Sequence, residues 1–165
     1  MITAVRRASD GLLADVQASP NFPANPAARQ ANAVAQFGGA LGDWTVLEVP
    51  EGLWTGINTL ARQFGTLAEG VISAISQSTP PAASLSAGTV ENDGVAEITL
   101  TVTIPDYAGP VQVVIYPPNG NKISSTVTAA GGVATEAIST EFEGLHRVMA
   151  ETEAHGVAWA TFEGV

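Results

Sequence analysis

The 165-residue chain has no cysteine, so neither a disulfide framework nor a thiolate metal site is open to it. Positive charge is nearly as scarce. Six Lys and Arg face sixteen Asp and Glu, for a formal net charge of −10, and Lys122 is the sole lysine. A surface of that sign repels phosphate, which argues against nucleic acid as a partner. Histidine occurs twice, at His146 and His155, so convergent acid–base chemistry has few carriers. Phosphate loops are missing: "FGGALG" and "GGVAT" lack the Gly-Lys-Ser/Thr ending. The opening "MITAVRRASDGLLADVQA" has no apolar run of about 7–15 residues, so it does not read as a secretory signal. We therefore expect assembly in a cytoplasm.

What the chain does have is apolar material, 45% of its residues, enough for one domain or two small ones. Composition shifts at "SQSTPPAAS", residues 76–84. Paired prolines cannot continue a helix, and they stiffen a short connector. The reading is an N-terminal region of arm plus helices over 1–77, a Pro-rich linker over 78–83, and a C-terminal domain over 84–165. Charge divides unevenly: residues 1–81 carry a net −2 and residues 82–165 a net −8.

In the N-terminal region, residues 3–17 read as a short helix interrupted by Gly11, and "SPNFPANP" (19–26) as an irregular arm. Asn25-Pro26 pairs a cap with a first-turn proline, and "AARQANAVAQF" follows as a helix ending at Gly38-Gly39. "TVLEV" (45–49) is a short strand or extended arm. Pro50 and Glu51 suit the start of a longer helix, whose positive end favours an acid.

That longer helix spans Leu53–Ile75, with two charges in 23 residues. Its large apolar residues recur at alternating gaps of four and three. Ile57, Phe64 and Val71 fall at position a, and Leu53, Leu60 and Leu67 at d, for about three heptads. Trp54 and Ile75 widen the stripe onto position e, which favours a trimer or larger bundle. The expected docking interface is therefore Leu53, Trp54, Ile57, Leu60, Phe64, Leu67, Val71 and Ile75, with copies of the same chain as partners. A membrane span is disfavoured, because Arg62 and Glu69 would each cost roughly 2.5–3.5 kcal/mol at mid-helix.

The C-terminal region reads as all-β. "AEITLTVTI" (96–104) alternates, with Ile98, Leu100, Val102 and Ile104 on one face. "VQVVIY" (111–116) and "KISSTVTA" (122–129) flank "PPNGN", whose Asn-Gly is a strong hairpin signal. "VATEAIST", "LHRVMAETE" and "VAWATFE" follow, and "SLSAGTVE" (84–91) precedes. Seven strands with turn signals every 8–12 residues or so suit an immunoglobulin-like sandwich. The closing "GLHRVMAETEAHGVAWATFE" resembles the last hairpin of bacterial and phage immunoglobulin-like modules, with His146 at the corner position. The whole chain likewise resembles structural proteins of tailed-phage virions.

The remaining candidates are bland. "ENDG" (91–94) and "PDY" (105–107) lack EF-hand spacing and read as turns. His155 beside Glu153 reads as a solvated turn, Ser124 and Ser125 lack a base, and Trp159 between two alanines reads as core. Trp44 joins Trp54 as a candidate interface anchor. No catalytic residue, cofactor site or metal site is expected. The expected fold is α+β in two parts, a helical N-terminal assembly region followed by an all-β seven-stranded immunoglobulin-like sandwich. The resemblance implies a non-enzymatic virion subunit of minor-tail or tail-tip type. It would contact other virion proteins and make weak glycan contacts at a host surface. A capsid decoration protein and a carbohydrate-binding adhesin module are the alternatives.

Overall fold

In the computed structural model, which describes residues 1–18, 25–54 and 58–165, the chain doubles back at Gly11. Strand β1 (Ile2–Arg7) and strand β2 (Leu13–Ala18) pair antiparallel. Gly11 takes φ +83°, and a Cβ there would meet the Gly65 carbonyl oxygen at 2.8 Å, so glycine is required twice over. Arg7 closes the turn on Asp10, Nε to Oδ1 at 3.0 Å and Nη2 to Oδ2 at 2.7 Å. That guanidinium holds the Asp10 carboxyl below its ordinary 3.8, with help from the Leu12 N–H and against partial burial. The helix expected over 3–17 is thus a hairpin. Its adjacent residues Ala4 and Val5 are both buried, which a strand achieves when each of its faces is covered.

Helix α1 (Pro26–Phe37) starts as expected: the Asn25 side chain accepts from the Ala28 N–H at 3.1 Å, and Pro26 fills the first turn. It stops at Gly38, whose N–H reaches the Val34 carbonyl at 2.8 Å. Strand β3 (Trp44–Val49) pairs with β1 from Ile2–Val49 to Arg7–Trp44, giving the order β2-β1-β3. One cluster, Val5, Leu12, Ala14, Ala33 and Trp44, includes a residue of α1. A second cluster, Ala4, Leu13, Val49 and Ile72, draws on the segment that follows.

That segment overturns the helical assembly region. After a single 3₁₀ turn (Glu51–Leu53), strand β4 (Gln63–Ala68) and strand β5 (Val71–Gln77) form an antiparallel hairpin. Ala68 pairs with Val71, and the two residues between them, Glu69 and Gly70, take φ +52° and +80°. Two consecutive positive φ values are what a tight hairpin turn demands. Gly65 lies against Leu13 and Ile72, where a Cβ would come within 3.0 Å of Leu13. Glycines at 65 and 70, with β-branched Thr66, Val71, Ile72 and Ile75, favour strands over the helix that the spacing suggested. No coiled coil exists among the described residues, where α1 is the one α-helix.

Residues Met1–Ser78 form one compact unit and Thr79–Val165 another. In the second, strand β6 (Ala82–Leu85) is followed by β7 (Thr89–Val90), β8 (Ile98–Thr103) and β9 (Gly109–Tyr116). Then come β10 (Ile123–Ala129), β11 (Val133–Ile138), β12 (Gly144–Thr152) and β13 (Gly156–Gly164). They form a five-stranded sheet, β10-β9-β12-β13-β7, and a three-stranded sheet, β11-β8-β6. Both contribute to one core that includes Leu100, Val102, Val111, Val113, Val148 and Phe162. This is not the seven-stranded immunoglobulin-like sandwich expected. The single first strand expected over 84–91 breaks at Ser86–Gly88. β6 stays in the smaller sheet, while β7 crosses to pair parallel with β13. The break is held by Ser86, whose N–H donates to the Thr99 carbonyl and whose Oγ accepts from the Thr99 N–H, both at 2.9 Å.

Candidate functional site

The expected docking residues do not form one ridge. Leu53, Trp54 and Ile75 pack against the cluster around Ile72, and Phe64 against the cluster around Trp44. Ile57 lies outside the described residues. Leu60, Leu67 and Val71 are exposed, the last by 51%. Leu67 pairs with Ile72 and Val71 with Ala68, so both lie near the hairpin tip but on opposite faces. Among the described residues β5 pairs only with β4, and residues 71–78 carry no charge. Trp44, a candidate anchor in the sequence, is buried and donates its indole N–H to the Gly38 carbonyl at 3.1 Å.

The first unit also has a hollow of about 240 Å³ whose lining includes Asp15, Phe37, Trp54 and Arg62. Asp15 has φ +45°, unusual for a residue with a side chain. Both of its carboxylate oxygens are engaged. Oδ2 accepts from Arg29 Nε at 2.7 Å, and Oδ1 from Gln17 Nε2 at 2.7 Å. Arg29 is itself buried; it donates through Nη1 to Thr3 Oγ1 at 2.7 Å and through Nη2 to the Thr3 and Asp15 carbonyls. This network spends its polar groups on one another, which suits a strut rather than a reacting centre.

The histidines are absorbed in similar fashion. His146 is buried, stacked on Phe162 with centroids 4.5 Å apart. Its Nδ1 donates to the Gly144 carbonyl at 2.8 Å, and its Nε2 lies 2.9 Å from Thr140 Oγ1. His155 sits edge-on to Tyr107 at 5.2 Å. The Tyr107 hydroxyl, pushed up by burial and then by Glu153, donates to the Pro110 carbonyl at 2.9 Å. Ser125 donates to Glu136, the acid across from it on β11, with no histidine alongside. Asp93 accepts from the Val95 and Ala96 N–H groups at 2.8 Å each, which lowers its carboxyl from 3.8 and uses it as a turn former. Among the described residues no three His, Asp or Glu are placed to hold a metal ion, and no helix is long and apolar enough to cross a membrane.

The exposed feature of the second unit is one that the sequence reading missed. Trp159, expected in the core, is 41% exposed. It lies beside Tyr116, centroids 6.0 Å apart, with the Arg147 guanidinium carbon 4.9 Å from the centre of its ring. Register explains the grouping. Arg147 pairs with Tyr116 on β9 and with Thr161 on β13, while Met149 pairs with Val114 and Trp159. Residues directly opposite on neighbouring strands share a face, so these six side chains form two adjoining rows on the outside of the sheet. Strand parity was the available signal. Phe162 and Ala158 are buried, and Trp159 alternates with them, alongside Thr161 and Glu163.

No family model matches the sequence, and no curated protein matches it significantly. Among solved structures, the crystal structure of a beta-glucosidase from Listeria innocua in complex with glucose is similar at 15% identity and a TM-score of 0.33. The alignment covers 72% of this chain and 20% of that one, so this chain spans only a small part of the enzyme's length. A likeness that slight transfers neither fold nor chemistry.

Proposed function

We propose that the chain is a non-enzymatic structural subunit of a tailed-phage virion, self-associating through its first unit and displaying its acidic second unit. The observation that carries this reading is the open strand β5. Sheet edges in monomeric proteins are normally blocked by lysine, proline, inward charge or bulges. Residues 71–78 have no charge and no proline, their one irregularity is the extra residue Ser73 close to the turn, and the tip exposes Leu67 and Val71. An edge left open in this way suits a chain whose working state is an assembly, with copies of itself pairing strand to strand. Ten acids against two bases in residues 79–165 keep crowded second units apart and soluble. Several copies in one particle would multiply weak contacts through effective concentration.

Light scattering of the eluting full chain tests the reading. The parent is expected to be an oligomer. Ala74→Lys combined with Ser76→Lys, both exposed, is expected to give a monomer with unchanged melting temperature. A parent that is monomeric overturns self-association and favours the capsid decoration form, in which single copies bind a capsid lattice. Oligomers that survive the lysine pair overturn the assignment to β5.

A further inference from the structure

We propose that the outer face of the five-stranded sheet is a binding site for an uncharged glycan chain. The carriers are Tyr116, Trp159 and Arg147, with Thr161 and Ser124 at the rim. A pyranose ring presents C–H bonds on its flat faces and hydroxyls around its edge. Its partner therefore needs exposed aromatic surface ringed by donors and acceptors. Tyr116 and Trp159 are 37% and 41% exposed on a rigid sheet, side by side. Arg147, stacked on Trp159, makes no ion pair among the described residues, so its fork of N–H donors is available to hydroxyl oxygens. Thr161 pairs with Arg147, and Ser124 pairs with Val114, which places both hydroxyls on the same face.

Charge selects among occupants. The unit carries a net −8, which opposes polyanionic glycans and nucleic acid over a Debye length. A hydroxyl-rich neutral chain meets no such obstacle. A protein partner needs roughly 800 Å² on each side of the interface, whereas the large apolar side chains exposed on this face are Tyr116, Trp159 and Leu145, with Met149 and Val157 half-buried, among Ser, Thr, Gln and Glu. Every residue of the site lies in the second unit, so the proposal stands apart from how the first unit anchors.

Affinity electrophoresis of the full chain tests this, in gels containing soluble β-1,4-glucan, β-1,3-glucan, α-1,4-glucan or galactomannan. Polygalacturonate and heparin serve as the anionic arms. At least one neutral polymer should retard the parent. Trp159→Ala and Tyr116→Ala should each weaken that retardation about tenfold, with melting temperatures kept. Arg147→Lys, which keeps the charge but loses the fork, should also weaken it. Ligand addition should shield Trp159 from acrylamide quenching, a signal absent in Trp159→Phe. Failure of every neutral polymer to retard the parent overturns the proposal. So does stronger retardation by either polyanion, or retardation that survives Trp159→Ala.

Discussion

Arg29 and Arg147 show how far one residue type can diverge. Arg147 lies on the surface over an indole ring. Arg29 is buried and makes four hydrogen bonds to Thr3 and Asp15. Arg29→Met would leave the Asp15 carboxylate and the Thr3 carbonyl without their partner in a water-poor setting. The expected loss is about 3–5 kcal/mol, read by urea unfolding followed through the buried Trp44. Arg147→Met should cost under about 0.5 kcal/mol in the same assay, as an exposed substitution. Nothing in the string "AARQANAVAQF" separates Arg29 from an ordinary solvated arginine. Its importance comes from Thr3 on β1 and Asp15 on β2, two of the strands that α1 packs on.

At the level of elements, ends and turns were more legible than interiors. Asn25-Pro26 and Gly38 bound α1 where capping chemistry puts them. Asn119-Gly120 lies between β9 and β10, with Gly120 at φ +82°. Period-two alternation marked Ile98 to Ile104. The Leu53–Ile75 stripe misled because gaps of four and three among large residues say nothing of the glycines between them. Gly70 makes the difference measurable. In a helix, Gly70→Ala would stabilise by about 1 kcal/mol. At φ +80° in the hairpin turn it should destabilise by about 1–2 kcal/mol. A lowered melting temperature in the variant confirms the turn, and a raised one restores the helix.

Over the whole molecule, charge divides unevenly, a net −2 in Met1–Ser78 against −8 in Thr79–Val165. The second unit has its own core of fourteen buried residues and two sheets of its own. We expect residues 79–165 to melt cooperatively by themselves. Their melting temperature should rise with added sodium chloride, since ten acids and two bases repel one another less when screened. A fragment without a cooperative transition, or one insensitive to salt, contradicts this.

The absence of cysteine, the acidic balance, the start of α1 and the alternation of β8 were settled by the string of residues alone. Each depends on composition or on neighbours within a few positions. Whether Leu53–Ile75 coils or doubles back and whether 84–91 stays one strand were decided only in three dimensions. Burial is a property of the surface that comes to cover a side chain. Leu13 meeting Gly65 is a contact between segments about fifty residues apart, which local spacing does not encode.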